Sequence, residues 1–352
     1  MTEYRNILVY AMVNLGDVVL TTSAIALLKE IYPDARITML SRPIVREVIE
    51  RNPVIDDVIL FDYKAKQNSM GRMWAMVREL RARKFDLAIS FDRKLRPALL
   101  CLFAGIPVRV GPSRVFEDKP SRVTWLYTHT VPIAHDLENT LQAETYQEII
   151  RGFTGAQGHG RPVLPAPSTA ECAKAATILS SAGTRHKIGL CVKGTFGLKT
   201  WPKAYFAEVV RALHARYDAA FYLTGAPGDY AYAEEVIDAI GLPVENLCGK
   251  TNLMELAALY AQLDLLVTVD TGGAHIAAVT GVPMVVMFGC TSPRRWHPIS
   301  EHARAFTSNE PCCPCTYRET ECPSYPQPNC LYHVLPAVVT EACISYLEHD
   351  AE

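Results

Sequence analysis

Residues 267–293 read VTVDTGGAHIAAVTGVPMVVMFGCTSP. An apolar run ends on Asp270. A Thr-Gly-Gly turn then leads into a short helix that carries His275, and a second apolar run, PMVVMFG, follows. Strand, turn, helix and strand in this order make one crossover of a parallel sheet. Strands rich in Val and Met, without polar alternation, are those covered by helices on both faces. The same residues admit two readings: a tight strand-to-helix connection, or a cradle for a phosphorylated group.

The alternation continues outward in both directions. Towards the N-terminus, NILVYAM, ARITMLS, DDVILFD, FDLAISFD and VRVGP are strand-like. DVVLTTSAIALLKEIYP, IVREVIERN, MGRMWAMVRELRARK and RPALLCLFAGIP lie between them at helical spacing. Around 152–168, GFTGAQGHGRPVLPAPS is dense in Gly and Pro, which marks a domain boundary. After it the alternation restarts with KIGLCVK, AAFYLTG, LLVTVD and PMVVMFG as strands. The expected class is α/β: a Rossmann-like doubly wound domain over 1–165 and a second over 166–335, facing across a cleft. A last helix over 336–352 is expected to pack back on the first domain. Ligands of such sheets sit outside the carboxyl ends of the strands.

Composition narrows the function. The chain has 352 residues, 49% hydrophobic and 20% charged, with a net charge of −2. That balance argues against nucleic acid as a partner, which needs a basic excess. A local excess of Arg and Lys between Arg72 and Arg96 is either a solvated helix face or a surface for an anionic substrate or membrane headgroups. The N-terminus resembles no signal peptide, and the longest uncharged stretches fall short of the ~20 residues that span a bilayer. The expectation is a cytoplasmic protein, peripheral to the inner membrane at most, with its eleven cysteines as thiols or metal ligands rather than disulfides.

Four groups of residues could carry chemistry. In NLGDVVL, Asp17 opens a helix after the first strand; it stabilises the helix dipole by about 0.3–1 kcal/mol or serves as a proton acceptor. In KGTFGLKTWPKAYF, Thr195 and Lys199 flank Gly197 and suit phosphate oxygens, while Trp201 and Pro202 mark a helix start. Asp270, Thr271, Gly272, Gly273 and His275 combine a carboxylate, a helix N-terminus and an imidazole, an anion-binding arrangement. Downstream, Arg294 and Arg295 either assist phosphate binding or lie on the surface. The fourth group is the loop over 312–330, where Cys312, Cys315, Cys322 and Cys330 either hold a structural zinc or iron or remain loose thiols. No G-x-G-x-x-G follows a strand, which disfavours a dinucleotide cofactor.

With these motifs in place, the chain resembles the family 9 glycosyltransferases, the heptosyltransferases of GT-B fold. NLGDVVLTTSAIALLKEIYPDARI, KTWPKAYFAEVV and VDTGGAHIAAVTGVPMVVMFGCTSP carry the resemblance, which spans nearly the whole chain. It implies an inverting transfer of heptose from ADP-heptose, or a related nucleotide sugar, to a hydroxyl of the lipopolysaccharide inner core, with no cofactor required for catalysis. Asp17 would be the general base. Lys199, Thr195 and the amides of Thr271, Gly272 and Gly273 would stabilise the diphosphate, Asp270 would bind the sugar, and His275 would lie beside it. Asp229 would approach the ribose, and the backbone around Thr251 the base. Arg93, Lys94 and Arg96 would meet acceptor carboxylates and phosphates. The cysteine-rich loop also resembles a branch that modifies autotransporter proteins and ligates iron through cysteine. Two further readings stand beside these: a nucleotide-sugar-binding protein without turnover, and an epimerase of the same fold.

Overall fold

The computed structural model describes residues 3–62, 70–92, 94–113, 122–133, 136, 138–183, 185–315 and 321–349. Two compact units divide between Ala166 and Pro167, beside the boundary expected from the Gly/Pro stretch.

The first unit runs β1 (Asn6–Tyr10), α1 (Leu15–Ile31), β2 (Arg36–Ser41), α2 (Arg46–Ile49), β3 (Asp57–Leu60), α3 (Met70–Ala82), β4 (Leu87–Ser90), α4 (Leu95–Phe103), β5 (Val108–Pro112), β6 (His129–Val131) and α5 (Gln142–Thr154). Its sheet has the order β3-β2-β1-β4-β5-β6, with every pairing parallel. Leu8, Tyr10, Leu40, Ile59 and Ala88 of the strands form one core with Met76, Val77 and Leu80 of α3 and Leu100 and Cys101 of α4. On the other side α1 packs on α5.

The second unit runs α6 (Thr169–Leu179), β7 (His186–Cys191), α7 (Lys203–Arg216), β8 (Ala219–Leu223), α8 (Tyr230–Ile240), β9 (Val244–Asn246), α9 (Leu253–Tyr260), β10 (Leu265–Val269), α10 (Gly272–Thr280), β11 (Met284–Met287), α11 (Pro293–Trp296), β12 (Ala303–Phe306), α12 (Asn329–Tyr332) and α13 (Pro336–His349). Its sheet order, β12-β11-β10-β7-β8-β9, repeats the doubly wound pattern of the first unit. The direction in which successive strands are added therefore reverses between β1 and β4 in one unit and between β7 and β10 in the other. Those are the places where such sheets open a ligand crevice.

One expectation needs correction. The last helix, α13, packs on α7, β10 and β11, burying Val339, Ala342, Cys343 and Leu347 in the core of the second unit. Expected against the first domain, it completes the second. Trp201 fixes the chain just before it, donating its indole N–H to the Val334 carbonyl at 3.0 Å from a fully buried position. The Gly/Pro stretch is fixed to the first unit by hydrogen bonds. Asn52 donates to the Val163 carbonyl at 2.8 Å, and the Val163 amide donates to the Thr22 hydroxyl on α1 at 2.8 Å. The Gly160 amide donates to Gln147 at 2.7 Å. The stretch forms a strap along α1, and Ser168 then caps α6 in a capping box with Glu171.

The strap explains one glycine. A Cβ at Gly160 would stand 2.0 Å from the carbonyl oxygen of Ser23, and a helix backbone does not yield as a flexible side chain does. Gly160→Ala is expected to destabilise the chain by about 1–3 kcal/mol in urea unfolding. Gly228→Ala, at a glycine with nothing within 4 Å, is expected to stay within about 0.5 kcal/mol of the parent.

Candidate functional site

The chemistry-bearing residues of the second unit gather at the carboxyl ends of β7, β8, β10 and β11. Asp270 follows β10 directly, its amide bonded to the Met287 carbonyl at 3.1 Å, and it is 5% exposed. The Lys199 ammonium reaches its Oδ2 at 2.6 Å, and the Thr291 hydroxyl donates to the same oxygen at 2.6 Å. A buried carboxylate is costly unless paired and hydrogen-bonded, and this one is both. Lys199 is held by its neighbours' lack of side chains. A Cβ on Gly194 would lie 2.4 Å from the Cβ of Lys199, and one on Gly289 would lie 2.1 Å from the Leu198 carbonyl. The Cys290 amide closes the contact on that carbonyl at 3.2 Å.

Beside this pair, α10 starts with Thr271 in extended conformation and no side-chain cap, so its first-turn amides point at the site with the positive end of the helix dipole. Gly272 and Gly273 supply the first of them. Beneath Gly273 lie the Tyr260 hydroxyl and the Cys191 thiol, and Tyr260 in turn contacts Thr224 at 2.9 Å. His275 is 4% exposed, and among the described residues its Nδ1 has no hydrogen-bond partner. Burial drives its pKa down to about 4; Asp270 opposes the shift, while Lys199 and His297 add to it. The imidazole is neutral at pH 7.

One strand over, Asp229 accepts from the Ala226 amide at 3.0 Å through Oδ2 and pairs with Lys193 at 3.0 Å through Oδ1. The turn that ends at Thr251 rests on this loop. Gly249, at φ +74°, donates to the Gly225 carbonyl at 3.0 Å and sits against Pro227. Thr251 is half-buried just ahead of Asn252, which caps α9. Thr195 is exposed in the loop between Lys193 and Lys199. Arg295, one of two arginines whose placement the sequence leaves open, is 2% exposed, with its guanidinium 5.1 Å from the Trp296 ring.

In the first unit, Asp17 lies in the first turn of α1, after the central strand β1, and accepts the Tyr146 hydroxyl of α5 at 2.8 Å. The Tyr146 ring lies 5.3 Å from that of Phe91, tilted by 52°. The Asp92 carboxylate accepts the Lys94 amide at 3.1 Å and so opens α4. Lys94 is exposed, Arg96 is half-buried, and Arg93 lies outside the described residues. Tyr146 and Thr291 were missed in the sequence. Nothing near Tyr146 in the chain marks it, whereas Thr291 lies inside the quoted F-G-x-T turn.

The cysteine loop departs from the four-sulfur expectation. The Cys313 thiol shares hydrogen bonds with Cys330 and Cys312, and the Cys330 contact, followed by burial, pushes its pKa up. The Cys315 amide instead donates to the Cys290 carbonyl at 2.9 Å. Among the described residues, Cys312, Cys315, Cys322 and Cys330 included, no group of three or more side chains is placed to hold a metal.

Comparison with known proteins identifies the arrangement. The family model for glycosyltransferase family 9 (heptosyltransferase) matches residues 73–325. Lipopolysaccharide heptosyltransferase 3 of Escherichia coli is 28% identical over 94% of this chain and 96% of its own length. The crystal structure of a family 9 glycosyl transferase from Veillonella parvula superposes with a TM-score of 0.85 at 23% identity, covering 99% of both chains. That of E. coli ADP-heptose lps heptosyltransferase II gives 0.79 at 24% identity, over 99% of this chain and 100% of the other. The fold is GT-B.

Two outcomes follow from the geometry. Thr291→Val removes a hydrogen bond to a charged acceptor and is expected to cost about 1.5–3 kcal/mol in chemical unfolding, with Thr291→Ser retaining most of it. His275 has a folded-state pKa below its unfolded value of 6.5, so the unfolded chain binds the extra proton. Its contribution is intact above about pH 6.5 and is lost as pH falls towards about 4, by up to roughly 3 kcal/mol. His275→Gln is expected to flatten the dependence of unfolding free energy on pH across that window.

Proposed function

The chain belongs to glycosyltransferase family 9, and we propose that it transfers a heptose from an ADP-activated donor to a hydroxyl of the lipopolysaccharide inner core, with inversion at the anomeric carbon. The observation that carries this reading is the meeting of Lys199, Asp270 and Thr291 with the uncapped start of α10. In the reaction the bond from the anomeric carbon to the diphosphate breaks, and its electron pair leaves with ADP. A bond to the acceptor oxygen forms, and the hydroxyl proton goes to a base. Charge therefore grows on the diphosphate. An ammonium and fixed amides in a largely buried setting are suited to stabilise it without reorganising.

In this reading Lys199, Thr195 and the amides of Thr271, Gly272 and Gly273 hold the diphosphate. Asp270 takes sugar hydroxyls, and neutral His275 lines the same turn. Asp229, near the ribose, and Thr251, near the base, complete the donor set; their turns touch through Gly249 and Pro227. Asp17 is assigned the acceptor proton, with the Tyr146 hydroxyl orienting its carboxylate. Arg93, Lys94 and Arg96 counter the charges of an acidic acceptor. No step calls on a metal. The setting is the cytoplasmic side of the inner membrane, and among the described residues no helix is long and apolar enough to cross one.

The test is ADP release from ADP-heptose, with and without core-truncated lipopolysaccharide. Release that depends on the lipid is expected, with kcat reduced about 10²–10⁴-fold in Asp17→Asn and about 10²–10³-fold in Lys199→Ala. Release only with a protein acceptor would move the substrate to autotransporters. Release of free sugar without any acceptor would exclude a transferase to lipid.

A further inference from the structure

We propose that the α3–α4 side of the first unit is a docking surface for an anionic lipid bilayer. The excess of Arg and Lys after residue 70 is not a uniformly solvated face. On α3, Met73, Met76, Val77 and Leu80 point into the core. Met70, Trp74, Arg78 and Arg81 follow at four- and three-residue steps, along one outer side of the helix. Met70 is 75% exposed and Trp74 50%.

Neighbouring elements extend the patch. The Trp74 ring lies 5.6 Å from that of Phe103 at the end of α4, which is also exposed. Arg81 donates to the Phe103 carbonyl at 2.6 Å, fixing its guanidinium at the edge of the two rings. Leu99 and Leu102 of α4 pack on Val123, Leu126 and Tyr127, which seats the turn Thr124–Leu126 against α4. That turn presents Trp125, 75% exposed. Among the described residues of this unit, the large exposed apolar side chains Met70, Trp74, Phe103 and Trp125 are therefore on α3, on α4 or on the turn seated against α4.

Charge selects the partner. Arg78 and Arg81 stand among these rings, and Lys84 and Arg122, both exposed, lie on the adjoining segments. The acids of the same region are engaged elsewhere. Glu79 pairs with Arg83 at 3.0 Å, Asp86 accepts the Arg5 amide at 2.8 Å, and Asp92 is nearly buried. Tryptophan, methionine and phenylalanine interleaved with arginine match the boundary of a bilayer, where rings enter the headgroup level and guanidiniums stay at the phosphates. A polyanion without an apolar phase would leave Met70 and Trp125 unmatched. The surface uses none of the residues assigned above to donor or acceptor.

The experiment is flotation of the full chain with vesicles of phosphatidylglycerol and phosphatidylethanolamine, and with vesicles of phosphatidylcholine, without sugar donor. Strong partition onto the anionic vesicles only is expected. Arg78→Gln with Arg81→Gln is expected to weaken it about thirtyfold, at roughly 1 kcal/mol per charge near an anionic surface. Trp74→Ser with Trp125→Ser is expected to weaken it comparably while the thermal midpoint is retained. Equal partition of the parent and both variants, or none at all, would overturn the proposal. So would loss of self-association in the variants with no change in vesicle binding, which would make the face a contact between copies. Because no sugar is present, failure of the heptosyl reading would leave this result unaffected.

Discussion

One carboxylate oxygen organises the second unit. Oδ2 of Asp270 takes both the Lys199 ammonium and the Thr291 hydroxyl. Three connections after three different strands, β7, β10 and β11, are thereby tied at one point. Since the acid is nearly excluded from water, loss of Lys199 would leave an unbalanced charge in a low-dielectric interior, and loss of Thr291 would leave the same oxygen short of a hydrogen bond. The glycines on either side follow from this. Gly194 and Gly289 are bare because the Lys199 segment has to pass between them to reach the acid. The way Lys199 reaches Asp270 is therefore a consequence of packing as much as of charge.

The doubly wound sheets explain where in each unit these residues lie. Identical strand order in both units sets a reversal between β1 and β4 and between β7 and β10, and there the flanking connections diverge. Asp17 follows β1, Lys199 follows β7 and Asp270 follows β10. Each lies at the carboxyl end of a strand beside a reversal. His275 shows the other side of the arrangement: placed next to an acid and an ammonium, it is held neutral chiefly by burial.

Much of this is legible in the sequence, for identifiable reasons. The central strands are long and uniformly apolar, and the helices between them keep a three- and four-residue rhythm, so the class and the boundary near residue 166 follow from pattern alone. The edge strands β6, β9 and β12 escape it, because His129–Val131, Val244–Asn246 and Ala303–Phe306 are short and carry polar residues. The residues proposed for the donor site are readable because turn chemistry marks them. Tyr146 is not, since its contact with Asp17 joins positions far apart in the chain, and no local rule anticipates it. The cysteine loop shows the converse failure. C-x-x-C spacing suggests a common ligand, whereas the Cys313 thiol, outside that spacing, is the one bonded to Cys330, and no metal-holding group forms among the described residues.

The strap along α1 bears on how such chains can be recombined. It has no regular secondary structure, yet it belongs to the first unit through Val163, Gly160 and Asn52. A chimaera that joined this first unit to the donor unit of another enzyme at the end of α5 would strip α1 of its cover. The junction that preserves both parents is the peptide between Ala166 and Pro167, where one set of contacts ends and the cap of α6 begins.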